Sequence, residues 1–443
     1  MAKKNYVIDT SVFLSDSRCI YKFGNADLFI AYKVLEEIDK HKKRQDSVGF
    51  HARQTIKILD ELRAKGSLAS GVRLEKGKGI FKVEEGQITL PDGLSMKVPD
   101  HQILATALYV KESNSRRKTI VVSRDINMRV IADAIGIEAE EYQTVKAVES
   151  TDKIYTGYQE IVVDEELVEQ FYNDEEIRLD EELLKTQRIK LYANQFVMLI
   201  SSSNPKKTAL ARYVDMVHPL EKIRDRKHET SWGVLPRNKE QTFAFDLLFD
   251  ETVPFVSLIG RAGSGKTLMA IAAGMEQTLG MHGNKYRKLV VSRPVQPMGK
   301  DIGFLPGDLK EKMMPWLAPI QDNLEMIIGQ DKVVFKQFLE QGKIEIEALT
   351  YIRGRSINNA FMIIDEAQNL TAHEVKTIIT RVGENTKVVL TGDIEQIDNI
   401  YTNETSNGLT YAVEKFKEHD LAGHVTFMKG ERSRIATLAS KIL

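Results

Sequence analysis

The sequence predicts an α/β protein in which two parallel-sheet domains flank a small β-rich connector. Short apolar runs rich in β-branched residues alternate with helical periodicity towards both ends of the chain, and this alternation is typical of parallel sheets with right-handed crossovers. The middle of the chain has the pattern of a hairpin instead. A length of 443 residues exceeds one ordinary domain. We therefore place domains at residues 1–147, 148–235 and 236–443.

Composition excludes several classes of protein. The net charge of −1 gives no global attraction to nucleic acid, so any such binding needs local patches. Cys19 is the only cysteine, which rules out an intramolecular disulfide or a cysteine-based metal site and fits a reducing compartment. The N-terminus has no apolar signal core, and no apolar run reaches the ~18 residues that span a bilayer. We expect a cytoplasmic protein without a membrane segment.

Four acidic residues of the N-terminal domain stand where predicted strands end or predicted helices begin. Asp9 and Asp125 directly follow apolar strand patterns, and Glu37 and Asp100 lie near helix starts that can face the same edge of a sheet. Each acid by itself would be interpreted as a cap or a solvated loop residue. Four carboxylates at one edge repel unless cations neutralise them, so the set favours Mg²⁺ or Mn²⁺. Two such ions can activate water for phosphodiester hydrolysis.

Two hairpins are predicted outside these positions. In the N-terminal domain, strand patterns at 80–83 and 87–90 flank Glu85-Gly86. In the connector, apolar runs at 195–200 and 209–214 flank a polar turn. The acidic stretch 160–182 is interpreted as a solvated face or a linker.

The C-terminal domain contains the pattern GxxxxGK[ST] between a buried strand pattern and a run of helix formers. Glycines let loop N–H groups wrap phosphate oxygens at a helix N-terminus, while the lysine and the hydroxyl serve the β/γ-phosphates and Mg²⁺. The context of strand, loop and helix makes a chance match a poor explanation. The predicted nucleotide-binding residues are Gly260, Arg261, Ala262, Gly263, Ser264, Gly265, Lys266 and Thr267.

Further residues complete a predicted ATP site. Asp365 and Glu366 end an apolar strand pattern, where the first acid can bind Mg²⁺ through its water shell and the second can polarise the attacking water. Gln396, in a Gly-Asp-x-x-Gln segment after another strand, can sense the γ-phosphate. The amide of Gln241 can bond an adenine edge, which favours ATP over GTP, although a surface glutamine is the simpler interpretation.

The N-terminal segments Asp9-Thr10-Ser11, 34–39, 99–103 and 123–129 resemble the motifs of PIN domains, which are metal-dependent ribonucleases of a flavodoxin-like α/β/α fold. By this resemblance Asp9, Glu37, Asp100 and Asp125 are the metal-binding set. Glu36 is the alternative to Glu37. A further acid of some relatives is replaced here by Asn127, which carries no charge, and Asp133 is a possible substitute.

The C-terminal segments Arg293-Pro294, 303–307, 365–369 and 391–396 resemble the PhoH family, whose domain is related to the RecA-like first motor lobe of superfamily-one helicases. This match covers about residues 230–443. Together with the N-terminal match, it resembles the PIN–PhoH fusion proteins. The resemblance implies an ATP-driven enzyme that unwinds and cuts RNA.

Only about 180 residues follow the phosphate-binding loop (P-loop) at residues 260–267. This length is enough for one motor lobe and not for two. Superfamily-one helicases hold the nucleotide between two lobes, the second of which supplies an arginine. We therefore expect a homo-oligomeric ring, a hexamer, in which a neighbouring subunit supplies this arginine. The candidates are Arg353, Arg355 and Arg432, and surface salt bridges or contacts to nucleic-acid phosphates are the alternative roles.

Two functions from different classes fit the sequence. The first is a two-site enzyme that hydrolyses ATP, moves or unwinds single-stranded or structured RNA, and cuts it. The second is a nucleotide-gated switch or scaffold whose PIN-like domain only binds RNA or a partner. No residue pattern indicates recognition of the 2′-hydroxyl, so the choice of RNA over DNA as the substrate rests on the resemblance.

Overall fold

The computed structural model describes residues 3–44, 47–85, 88–142, 147–223, 232–280, 285–294, 309–329, 332–352, 355–399 and 402–428. The chain divides into two compact units, Met1–Val145 and Lys146–Leu443. The predicted α/β class with parallel-rich sheets is confirmed. The predicted connector and C-terminal domain share one unit, because the connector sheet packs onto the C-terminal domain through buried side chains.

In the N-terminal unit, the described residues form one six-stranded sheet. Its strands are β1 (Asn5–Ile8), β2 (Asp27–Ala31), β3 (Val72–Arg73), β4 (Ile80–Glu84), β5 (Thr119–Ser123) and β6 (Glu138–Glu141). The strand order is β3-β4-β2-β1-β5-β6, and every pair is parallel except β3 with β4. The strands β1 and β5 are therefore neighbours, and their carboxyl ends lie side by side.

The structure describes five α-helices in this unit. They are α1 (Thr10–Ser15), α2 (Tyr32–His41), α3 (Ser47–Arg63), α4 (Pro99–Ser113) and α5 (Ile126–Ala134). Pro99 has a fixed φ that suits the first turn of α4. Asp125 caps α5 by accepting a bond from the Asn127 N–H.

The predicted hairpin around Glu85 is wrong. Residues 88–90 form no strand, and β4 pairs in parallel with β2 and antiparallel with the preceding β3. Phe81 explains this choice, because its buried ring lies opposite both Leu28 and Val72. Long-range burial of an apolar side chain thus overrides the local turn signal.

The connector is a four-stranded sheet with two short helices. Its elements are β7 (Tyr158–Val163), α6 (Glu165–Tyr172), α7 (Glu181–Thr186), β8 (Gln195–Ser201), β9 (Thr208–Tyr213) and β10 (Glu221–Lys222), and its strand order is β10-β9-β8-β7. The predicted hairpin is confirmed, since β8 and β9 pair antiparallel with Gln195 opposite Tyr213. In the acidic stretch, Val168 and Phe171 are buried while most of its acidic side chains face solvent.

The C-terminal domain is a parallel six-stranded sheet covered on both faces. Its strands are β11 (Phe255–Gly260), β12 (Lys288–Arg293), β13 (Ile344–Ala348), β14 (Ala360–Ile364), β15 (Lys387–Gly392) and β16 (Ala422–Phe427), in the order β13-β12-β14-β15-β11-β16. Side chains of β11 alternate between two hydrophobic clusters, with Val256 and Leu258 in one and Phe255 and Ile259 in the other.

Helices cover both faces of this sheet. They are α8 (Lys239–Phe249), α9 (Lys266–Leu279), α10 (Leu309–Ile328), α11 (Lys332–Glu340), α12 (Leu349–Ile352), α13 (Ala372–Ile379) and α14 (Gly408–Phe416). Among the described helices, none combines the length and the apolar character that crossing a membrane requires.

Aromatic stacking and a buried ion cluster join the connector to α8. The rings of Phe196 on β8 and Phe243 on α8 stack with centroids 4.3 Å apart and planes 6° from parallel. Arg212 on β9 donates to Asp246 at 3.0 Å and to Asp250 at 2.6 Å. Its side chain is only 8% exposed, so the guanidinium and its acidic partners depend on one another for charge neutralisation.

Replacing Arg212 with Ala should lower the free energy of unfolding of the C-terminal unit by about 3–5 kcal/mol, because the buried acids lose their countercharge. Denaturant unfolding measures this loss. The matched control is Arg178→Ala, which removes a pair whose partners are 56% and 72% exposed and should change the free energy by less than about 1 kcal/mol. Equal losses in the two variants would contradict the assignment.

Candidate active sites

The P-loop joins β11 to α9 with the geometry of a phosphate-binding loop. Gly263 and Gly265 have φ values of 78° and 90°, a left-handed conformation that side chains disfavour. This turn places the loop at the N-terminus of α9, which starts at Lys266. A Cβ atom at Gly260 would lie 2.6 Å from the Cβ of Phe427, so close packing fixes this glycine as well.

Donors of the P-loop are held in place by protein oxygens. The buried Lys266 ammonium donates to the carbonyl of Gly260 at 2.5 Å and to that of Arg261 at 2.9 Å. The Ala262 N–H donates to Oδ2 of Asp393 at 2.8 Å. Loop N–H groups of this kind bind phosphate oxygens, and a carboxylate oxygen accepts from one of them here.

Asp365 connects three elements at the carboxyl edge of the sheet. It follows β14, and its Oδ1 accepts from the hydroxyl of Thr267 at 2.7 Å and from the hydroxyl of Thr391 at 2.6 Å. The first hydroxyl is on the P-loop helix and the second is on β15. A P-loop threonine beside a strand-end aspartate is the arrangement that holds Mg²⁺ in P-loop NTPases.

Glu366 has a left-handed backbone, with φ 54° and ψ 38°, which is uncommon for a residue with a long side chain. Its Oε1 accepts from Arg293 at 3.2 Å, and its Oε2 accepts from the Gln368 amide at 2.5 Å. The same Gln368 amide donates to the carbonyl of Gln396 at 2.8 Å and accepts from the N–H of Asp393 at 3.1 Å.

The two predicted glutamines differ in their surroundings. Gln241 is buried; its Nε2 donates to the carbonyl of Ser264 at 3.1 Å, and its Oε1 accepts from the N–H of Arg237 at 2.7 Å. It therefore fastens α8 to the P-loop, and adenine recognition by Gln241 stays a prediction. The side chain of Gln396 is exposed, and γ-phosphate sensing by this residue likewise stays a prediction.

Of the predicted trans-acting arginines, Arg355 is described by the structure. Its guanidinium pairs with Glu347 at 3.2 Å, and its side chain is exposed. Arg353, Arg432 and the predicted 303–307 loop lie outside the described residues.

In the N-terminal unit, hydroxyl groups hold Asp9 at the end of β1. Its Oδ2 accepts from Ser11 at 2.5 Å and from Ser123, at the end of β5, at 2.6 Å. The Ser123 hydroxyl also accepts from the N–H of Asp125 at 3.0 Å. One serine therefore links the two strand-end acids, which are far apart in sequence.

Glu37 and Glu36 point in different directions. The Glu37 carboxylate accepts a hydrogen bond from the hydroxyl of Thr10, the residue next to Asp9. The Glu36 side chain is 64% exposed and pairs with Lys33 on the same helix at 2.8 Å. Of these two side chains, that of Glu37 is therefore the one that reaches the edge of the sheet where Asp9 lies.

Asp100 lies close enough to the other three acids for their negative charges to act on its carboxyl group. Its pKa is raised, first by partial burial and then by repulsion from Asp9, Glu37 and Asp125. Within the described part of the chain, no group of three or more acidic, histidine or cysteine side chains has the spacing of metal ligands. The four carboxylates would offer an all-oxygen donor set, which suits Mg²⁺ or Mn²⁺.

Asn127, which departs from the PIN pattern, and Asp133, its possible substitute, both lie on α5. The Asn127 side chain is exposed and its N–H donates to Asp125 at 2.8 Å. Asp133 is also exposed.

Several site residues were not assigned a role from the sequence. They are the positioning hydroxyls and the polar links of the ATP site, namely Thr10, Ser11, Ser123, Arg293, Gln368, Thr391 and Asp393. Each lies within four residues of a predicted strand end, and this position is the signal that could have found them.

The fold and the two sites define a class of protein: an α/β domain with an acidic strand-end site, fused to a P-loop NTPase domain. The PIN domain family matches residues 6–143, and the PhoH-like protein family matches residues 233–442.

Relatives match over the whole length of the chain. The chain is 42% identical to Protein PhoH2 of Bacillus subtilis strain 168, over 99% of this chain and 100% of that protein. Identity is 34% to Protein PhoH2 of Thermobispora bispora (99% and 96% covered) and 35% to that of Mycolicibacterium smegmatis (100% and 97% covered). The chain therefore belongs to the PhoH2 family of PIN–PhoH fusion proteins, and the predicted family is confirmed.

Asp100→Asn should stabilise the N-terminal unit in EDTA at neutral pH by about 2 °C in melting midpoint, a small shift because Asp100 is partly solvated. The gain should shrink as the pH falls through the raised pKa of Asp100, because a protonated Asp100 no longer repels its neighbours. Thermal unfolding measures both effects. Asp133→Asn, an exposed change on α5, is the control. A lower midpoint for Asp100→Asn in EDTA would contradict the repulsion.

Proposed function

We propose that this protein is an ATP-dependent RNA helicase or translocase coupled to metal-dependent endoribonuclease cleavage of single-stranded RNA. The observation that carries the proposal is that one chain combines a P-loop site, in which Thr267 bonds Asp365, with an acidic site in which Ser123 links Asp9 and Asp125.

In the ATPase half, each residue has a distinct task. Lys266 binds the β/γ-phosphates, and Thr267 and Asp365 hold Mg²⁺. Glu366 polarises the attacking water, and Gln396 senses the γ-phosphate. Gln241 stands beside the P-loop, where its amide can also contact adenine.

In the nuclease half, Asp9, Glu37, Asp100 and Asp125 hold Mg²⁺ or Mn²⁺. The ion supplies activation of water and stabilisation of the leaving oxygen in phosphodiester hydrolysis. The protein contributes position: Ser11 and Ser123 orient Asp9, and Thr10 orients Glu37. The pKa of Asp100 is raised by partial burial and by repulsion from the other three acids, and this repulsion supports cation binding.

RNA cleavage should depend on Asp9 and Glu37, and not on the neighbouring, exposed Glu36. On labelled single-stranded RNA with Mg²⁺ or Mn²⁺, Asp9→Asn and Glu37→Gln should each lose at least about 100-fold in rate, because even groups that only support a metal ligand are worth 10–100-fold. Glu36→Gln is the matched control and should cut like the wild type. Rates are read from gels under single-turnover conditions.

Two outcomes separate the candidate functions. A wild type that hydrolyses ATP and cuts no RNA would favour the switch or scaffold function and overturn the nuclease proposal. Equal cleavage of single-stranded DNA of the same sequence would overturn the assignment of RNA. Lys266→Ala should abolish ATP hydrolysis and still cut unstructured RNA, because the two sites use different residues.

The motor lobe further suggests assembly into a hexameric ring with an arginine supplied in trans by Arg353, Arg355 or Arg432. The arginine variant should lower ATP turnover by about 10³-fold, and Lys266→Ala should abolish it. Mixed 1:1, they should regain activity, because about a quarter of head-to-tail interfaces then join an intact P-loop to an intact arginine. Native mass gives the subunit number, and the mixing experiment tests each arginine. No recovery for any of the three arginines would contradict a trans arrangement.

A further inference from the structure

Both oxygens of the Glu366 carboxylate accept from protein donors. Arg293 binds one oxygen at 3.2 Å and Gln368 binds the other at 2.5 Å. A guanidinium paired with this carboxylate favours its ionised form and competes with a water molecule for its oxygens. Its left-handed backbone, with φ 54°, adds strain of the kind that accumulates at switching sites.

Of the two donors, Gln368 is immobile. Its side chain is completely buried, and its amide also bonds the backbone of Gln396 and Asp393. Packing is tight, because a Cβ atom at Gly392 would lie 2.4 Å from its Oε1. Gln368 therefore ties Glu366 to the segment after β15 and leaves little room for movement.

Arg293 is the donor that can leave. Its side chain is 25% exposed and that of Glu366 is 30% exposed, so solvent reaches this ion pair. Guanidinium groups bind phosphate and carboxylate with the same planar donor geometry. A phosphate can therefore replace Glu366 as the partner of Arg293 without loss of a favourable pair.

Topology indicates where that phosphate comes from. Arg293 ends β12, which is separated from the P-loop strand β11 by β14 and β15. Three strand spacings amount to about 14 Å, and Arg293 approaches Glu366 from the side away from the P-loop. On this side a backbone phosphate of a bound strand can reach Arg293 without entering the P-loop.

We propose that Arg293 is an RNA-responsive brake on ATP hydrolysis. Without RNA, Arg293 holds Glu366 away from the attacking water. A backbone phosphate of bound RNA takes Arg293 and releases the carboxylate. This inference rests on the proposed function, in which Glu366 polarises water and RNA is the bound strand.

The test compares steady-state ATP turnover of the full-length protein with and without a homopolymeric single-stranded RNA. Arg293→Gln should raise turnover without RNA about two- to fivefold, the factor that corresponds to loss of a partly exposed ion pair. The ratio of the rates with and without RNA should fall towards one, and KM for ATP should not change. Arg293→Lys keeps the charge and should restore part of the brake.

Lys288→Gln is the matched control. It removes an ion pair with Glu345 at the opposite end of the same strand, with partners that are 24% and 26% exposed. A merely structural contribution of β12 would affect both variants alike, whereas the brake predicts wild-type turnover and wild-type RNA response for Lys288→Gln.

Other outcomes overturn the brake. Unchanged or lower turnover of Arg293→Gln without RNA would show that Arg293 does not restrain Glu366, and lower turnover with and without RNA would place it in catalysis. Glu366→Gln separates this failure from failure of the proposed function. If Glu366→Gln keeps full turnover, the proposed role of Glu366 is wrong; if it abolishes turnover while Arg293→Gln has no effect, only the brake is wrong.

Discussion

Both sites depend on one constraint, namely that neighbouring parallel strands deliver their carboxyl ends to a single edge of the sheet. In the N-terminal unit this edge receives Asp9 from β1 and Asp125 from β5. In the C-terminal unit it receives the P-loop from β11 and Asp365 from β14. Residues separated by about a hundred positions thus become neighbours without any local signal that joins them.

Small polar side chains turn this proximity into defined geometry. Asp9 and Asp365 are both buried, and a buried carboxylate is stable only when donors satisfy it. Serine hydroxyls do this for Asp9 and threonine hydroxyls for Asp365. Because Ser123, Thr267 and Thr391 lie on a different strand or helix than the acid they bind, their hydrogen bonds also fix the relative positions of two elements.

A feature could be predicted from the sequence when the residues that define it lie close together along the chain. The P-loop, Asp365 and the β8–β9 hairpin could be predicted because their signals lie within a few residues. The choice between Glu36 and Glu37 could not, since it depends on how α2 is rotated against Thr10. The packing of the connector onto the C-terminal domain could not be predicted either, because Arg212 meets Asp246 on α8 and Asp250 just after α8 only in the folded unit. The error at β4 has the same origin.

The point at which the chain enters the C-terminal unit has a mechanical consequence. The N–H of Ala147 donates to the carbonyl of Thr405 at 2.8 Å, and the carbonyl of Thr156 accepts from the N–H of Thr426 on β16 at 3.0 Å. Thr405 lies in the segment between β15 and α14, and β16 is the neighbour of the P-loop strand. Detaching the chain at this entry point therefore breaks hydrogen bonds to β16 and to the segment ahead of α14, beside the P-loop strand β11.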